Sequence, residues 1–178
     1  MRYVIALLIM AKAAVAECPP VPDHSDRYYA ALTEVRLSPT EYAARQKMGA
    51  LWEILTEAPD AAAQEMLDAG MQSIREADYS GALEELNALV AYCPEYAEGY
   101  NQRAFASFLL TDYGPALVDL TTTLELFPDH VGAQSGLVLT LIGLGRDDEA
   151  QAVLREALTL NPWMPERHLL REPDGEEL

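Results

Sequence analysis

Lysine, histidine and cysteine are all scarce in this chain, and each scarcity closes off a class of chemistry. The three histidines, His24, His130 and His168, lie far apart with no H-x-x-x-H pair, and Cys18 and Cys93 have no second cysteine nearby. That is not metal-ligand spacing, so no metal is expected. G-x-S-x-G, P-loop and G-x-G-x-x-G motifs are all absent, which removes the usual signatures of an activated serine or a nucleotide phosphate site. Lys12 and Lys47 are the only lysines, against 29 Asp and Glu, and the net charge is −17. So acidic a chain gains nothing by counterion release from nucleic acid and is repelled by anionic membranes. The carboxylates fall at helical spacing on solvent faces, as in an ordinary solvated surface. Neither an enzyme nor a cofactor is expected.

What the chain has instead is a period. Pro94, Pro128 and Pro162 fall 34 residues apart, and so do Ala82, Ala116 and Ala150. Leu86, Leu120 and Leu154 keep the step, as do Val90, Leu124 and Leu158. Tyr79 and Tyr113 each follow an Asp, and Asp147 stands at the corresponding place in the third copy. Fixed self-similarity of this length marks a repeat array. Each unit holds two apolar-periodic segments: Met66–Glu76 and Tyr79–Tyr92, then Tyr100–Leu110 and Tyr113–Phe127, then Gln134–Leu144 and Asp147–Leu160. Ala82, Leu83, Leu86, Leu89 and Val90 trace a single helical stripe. The alanine column lets paired helices approach closely, and each proline stops a second helix. One such pair cannot bury its own apolar face, so neighbours must stack.

This column pattern resembles the tetratricopeptide repeat (TPR). Its first small-residue column reads Gly70, Ala104 and Val138; its alanine column reads Ala82, Ala116 and Ala150; its proline column reads Pro94, Pro128 and Pro162. Gln134 departs from the bulky apolar residue held by Met66 and Tyr100, and Thr123 departs from the column of Leu89 and Ala157. The resemblance covers 63–162 and implies an all-α, right-handed superhelix of helical hairpins, with units at 63–96, 97–130 and 131–164. In the family the first helices line a concave groove that takes a peptide or helix through variable columns. Those columns read Gln64, Leu67, Met71, Ile74 and Arg75 in the first unit. They read Glu98, Asn101, Phe105, Phe108 and Leu109 in the second, and Gly132, Ser135, Leu139, Ile142 and Gly143 in the third.

The resemblance therefore implies a non-catalytic interaction scaffold for a protein or peptide partner that the sequence does not identify. With no lysine after Lys47, the family's carboxylate clamp is missing and docking of cytosolic chaperones is not implied. Two alternatives stay open. The groove is an interface between copies of a structural subunit, or it is filled by the chain's own segment 17–37 or its C-terminal helix. His130 lies in an inter-repeat loop, either exposed or facing the groove.

Residues 1–16 read as a secretory signal peptide. Arg2 supplies positive charge, Tyr3–Met10 an apolar run too short to span a bilayer, and Ala14-Val15-Ala16 a cleavage site. Lys12 inside that stretch leaves an uncleaved anchor as the alternative. Export to the periplasm or exterior of a Gram-negative-type bacterium is expected, without later membrane contact. Losing Arg2 and Lys12 moves the charge from −17 to −19.

Residues 17–62 form an extended, proline-rich lead and then a helical cap or degenerate fourth repeat. A short helix is expected over Asp26–Val35. Ser38 should cap a second helix, with Pro39 first and Glu41 three residues on, running to about Glu57. Met48, Leu51, Trp52 and Leu55 would share its buried stripe. Residues 165–178 comprise a short capping helix, Pro165–Arg171, and an acidic tail. Arg103 falls where the repeat buries a leucine, so its guanidinium must be paired or reach water, and an acidic partner, Asp119 or Glu98, is expected. Ala106 should lie off the seam that Ala116 occupies. In an oxidising compartment a Cys18–Cys93 bridge is favoured over a dangling Cys18 thiol with a buried Cys93.

Overall fold

The computed structural model describes residues 17–171, so the signal-peptide reading of 1–16 and the acidic tail 172–178 lie outside the described residues. Eight α-helices and a short 3-10 turn account for the regular structure there: α1 (Ser25–Arg36), α2 (Glu41–Leu55), α3 (Ala61–Arg75), α4 (Tyr79–Tyr92), α5 (Ala97–Leu109), α6 (Tyr113–Leu126), α7 (Val131–Gly143), α8 (Asp147–Leu160) and Pro165–Leu169. From α3 onward each helix packs on the next, and α5 also touches α3 and α7, so the first helices of the units form one layer. Ala82, Ala116 and Ala150 are fully buried in the seams. A Cβ on Gly70 would stand 2.7 Å from Leu86 Cγ, which explains a glycine at that crossing.

The turns inside the units repeat as faithfully as the columns. Ala77, Thr111 and Gly145 all adopt positive φ (61°, 59° and 71°). The following N–H reaches back five residues each time, Asp78 to Ser73, Asp112 to Ser107 and Arg146 to Leu141, at 2.9 Å. This is the Schellman closure, which favours glycine at the left-handed position. Only the third unit has one. The second helices stop just before the proline column, with Cys93, Phe127 and Asn161 as C-caps.

The N-terminal hairpin departs from expectation in place and in detail. Thr40, not Ser38, caps α2, its Oγ1 accepting the Ala43 N–H at 3.2 Å. Ser38 is drawn away because its hydroxyl donates to Glu34 O at 2.9 Å and closes α1. The helix ends at Leu55, and Trp52 points out of the buried line, 44 % exposed. Tyr28, Leu32, Val35, Ala44, Leu51 and Leu55 pack α1 and α2 together, and Phe127, Val131, Leu160 and Trp163 of the array join the same cluster. The hairpin is thus neither a repeat stacked on α3 nor a lid on its open face. It folds back across the loops that link the units. Tyr96 O–H donates to Leu55 O at 3.0 Å. Tyr28 O–H donates to Asp129 O at 2.6 Å and accepts from Val131 N–H at 3.2 Å. At the far end Arg167 pairs with Glu41 at 2.6 Å.

A disulfide joins Cys18 to Cys93, with Cα atoms 5.2 Å apart, and holds the lead against the end of α4. Two other expectations change. Ala106 is fully buried within the core of α3 and α4, because α5 packs on both of its neighbouring units. The C-terminal helix is a 3-10 turn ending at Leu169, with Gln151 holding the segment that follows it through Leu169 O (2.9 Å) and Arg171 N–H (2.7 Å).

Candidate functional site

The inner-face columns separate into three sets once their surroundings are known. In the first unit they are largely core. Leu67 is fully buried, because it shares the face of Ala63 and Gly70 that packs in the interior. Met71 and Ile74 are half-buried against the same cluster. Gln64 accepts the Ala58 N–H at 3.0 Å, Arg75 bonds Gln72, and neither adds an apolar contact surface. Leu67 as a groove residue is therefore corrected.

In the second unit Glu98 and Asn101 belong to a sealed polar cluster. Glu98, 1 % exposed, lies in the first turn of α5, where the helix dipole favours a carboxylate. It accepts from Asn101 Nδ2 at 3.2 Å on both oxygens, from Gln102 Nε2, and from His130 Nε2 at 2.8 Å. His130 is neither exposed nor turned to the groove. It is wholly buried, and its Nδ1 accepts the Ala133 N–H at 3.1 Å as the N-cap of α7. An acceptor at Nδ1 places the ring proton on Nε2, which donates to Glu98, so the imidazole is neutral. Above this pair, burial pushes the phenols of Tyr28 and Tyr96 well above the ordinary tyrosine value. Arg103 pairs with Asp119 rather than Glu98, through Nε (2.7 Å) and Nη2 (2.6 Å), and its Nη1 reaches Asn87 at 2.9 Å. That fork gives the cation a partner where the repeat ordinarily has a leucine.

The third set stays accessible. Phe105, Phe108, Ser135 and Leu139 converge on a cavity of about 220 Å³, which the buried Asn101 of the polar cluster also lines. Its outer wall is Trp52, from α2, and Gln102 and Thr140 also line it. Phe105 is 46 % exposed, and Phe108 rests on Tyr113 with ring centroids 5.5 Å apart. Ile142 is exposed on α7, and Leu109 is half-buried on α5. Sequence reasoning missed Trp52, Gln102 and Thr140. Trp52 stands beside Leu51 on an amphipathic helix, and nothing in that pattern shows that α2 comes to lie beside α5 and α7.

No family model matches the sequence. A TPR repeat-containing protein of Rhizobium etli is 33 % identical over 92 residues, covering 52 % of this chain and 41 % of its own. Human tetratricopeptide repeat protein 36 is 34 % identical over 107 residues, covering 57 % and 56 %. The array is a tetratricopeptide repeat array. The chain spans about half the length of these curated relatives. Among solved structures, the TPR2B domain of yeast Sti1 in complex with pHsp70 superposes with a TM-score of 0.58 at 22 % identity, over 62 % of this chain and 90 % of that one. At that identity the likeness establishes the TPR fold.

Proposed function

We propose that this TPR protein is a non-catalytic interaction scaffold, exported to a bacterial envelope, that holds a protein or peptide partner on its inner face. One observation carries the reading. The hairpin and the sealed polar cluster close much of that face, yet an apolar strip from Trp52 through Phe105 to Leu139 stays open. A largely apolar cavity with a few polar groups in its wall is the usual form of a binding site and supports this reading. The yeast Sti1 TPR2B domain, solved in complex with pHsp70, is an instance of a TPR array holding a partner. The carboxylate and imidazole that come together here, Glu98 and His130, support a structural role: both are buried, Glu98 is bonded to Asn101, Gln102 and His130, and His130 caps α7. The signal-like pattern of residues 1–16 and the Cys18–Cys93 bridge support export to an oxidising compartment.

The test is capture from envelope extract with the mature chain as bait, beside a Phe105→Ser variant that keeps the core intact. Specific capture by the wild type and its loss in the variant are expected. Sedimentation of the free chain should give a monomer. A stable dimer lost on Phe105→Ser would instead make the strip an interface between copies.

A further inference from the structure

A second cavity, of about 240 Å³, lies where the N-terminal hairpin meets the array, between the lead, the end of α2 and the loops before α5 and α7. Val21, Ile54 and Phe127 give it apolar walls. Asp23, Glu57 and Glu95 bring exposed carboxylates to it from three separate segments, and no lysine or arginine lines it. Glu57 is answered by Arg27 at 2.8 Å. Asp23 accepts only the Ser25 N–H, at 2.9 Å, and the Glu95 carboxylate has no partner among the described residues. Acidic side chains are common throughout this chain, and alone they mark a solvated surface. What sets these three apart is the apolar space that they share.

Charge and size narrow the occupant. Carboxylates left without a cation favour a positive group that donates hydrogen bonds, and the net charge of −17 draws cations in at long range. The apolar walls call for a hydrocarbon stem behind that charge. Four methylenes and an ammonium take less room than benzene, which an apolar cavity of roughly 150 Å³ holds. The chain has no such group of its own to spare: Lys47, the only lysine among the described residues, is held by Glu34 at 2.9 Å. Ala97 and Glu98 line this cavity, while Asn101 and Gln102 line the one beside Trp52. The two therefore lie about one turn apart along α5, within the span of a single partner.

We propose that this cavity takes a lysine side chain of the partner, its methylenes against Val21, Ile54 and Phe127 and its ammonium on Glu95. The proposal rests on the scaffold reading and gives the disulfide a part in recognition. Residues 17–23 make no hydrogen bond beyond Ser25 among the described residues, so the bridge holds the Val21 and Asp23 wall in place. The probes are n-butylammonium, its neutral counterpart n-butanol, and a lysine blocked at both ends, Nα-acetyl-lysine N-methylamide. They are titrated into the oxidised chain while the methyl resonances of Val21 and Ile54 are followed. Both resonances should move, with n-butylammonium binding about tenfold more tightly than n-butanol, the margin of a charge-assisted over a neutral hydrogen bond. The blocked lysine should bind as n-butylammonium does. Glu95→Gln should remove most of that preference. Cys18→Ser, which changes no charge, should weaken ammonium binding by freeing the lead. No movement, or full binding in Cys18→Ser as diffuse attraction to an acidic surface would give, overturns the proposal. Binding of n-butylammonium with exclusion of the blocked lysine overturns the partner side chain in favour of a free amine. Capture from envelope extract separates the two levels. Equal capture by wild type and Glu95→Gln overturns the lysine contact and leaves the scaffold standing. A pocket that binds the blocked lysine in a chain that captures nothing upholds the pocket and removes the scaffold.

Discussion

From α3 to α8 every helix shares buried apolar columns with its neighbours, whereas α1 and α2 share theirs chiefly with each other. The array is continuous, and its cohesion grows with each added interface. The hairpin is attached by a few separate links: Tyr28, Tyr29, Tyr96, the Glu41–Arg167 pair, an apolar edge at Phe127 and Trp163, and a disulfide from the lead that precedes α1. Helix pairs of similar length are thus held in different ways. Continuous packing makes the array hard to open in part. Discrete links allow the hairpin to leave as a unit while the array persists.

The largest expected effect tests the covalent link. Closing a loop over a sequence separation of 75 residues removes roughly 4 kcal/mol of unfolded-state freedom in the chain-entropy model. Urea unfolding with and without reductant should differ by up to about that much, and equal midpoints would show that the bridge contributes nothing. Next is the array itself. Ala116→Leu overfills a seam with no exposed surface and should cost about 1–3 kcal/mol in global unfolding. Gly114→Ala on the same helix, where an added Cβ meets nothing within 4 Å, should cost none. Equal losses would contradict the seam.

Tyr28→Phe acts on the hairpin alone. It removes one donor and one acceptor and leaves Asp129 O and the Val131 N–H short of a partner, a loss of about 1–3 kcal/mol. Faster amide exchange should be confined to α1, α2 and the Val131 amide. A smaller gain is expected from Thr111→Gly. A β-branched residue held at a φ of 59° is strained, so the variant should be more stable by about 1 kcal/mol, and Gly145→Ala should lose a similar amount. The smallest effect concerns acid. Arg167, and then Arg45, hold the Glu41 carboxyl below its ordinary value of 4.5. A lowered carboxylate lends stability that is fully present above the ordinary range and is lost as pH falls through the lowered value. Acid below the ordinary value of 4.5 should therefore loosen α2 at its Glu41 end, and Glu41→Gln should remove that contribution.

The array was legible because its physics is local and repeated. The proline, alanine and leucine columns state where helices stop and how closely they pack, and that information lies within 34 residues each time. Arg103 was legible for a related reason: a cation in a leucine column needs a counterion, and Asp119 supplies it. What could not be read depends on how a segment outside the period packs. Trp52 belongs to the cavity wall only because the hairpin folds back over the inter-unit loops. Leu67 and Glu98 stand in groove columns yet are buried, the first by the interior of its own unit and the second by His130. Histidine as an N-cap has no sequence signature comparable to that of serine or aspartate, so His130 looked like a loop residue.

Amide hydrogen exchange on the intact chain, oxidised and reduced, addresses the central claim most directly: α1 and α2 form a unit seated on the array and fastened to it by separate links. On reduction the amides of α1 and α2 should exchange markedly faster while those of α5–α8 keep their protection. Acceleration shared evenly by all eight helices, or none in α1 and α2, would contradict it.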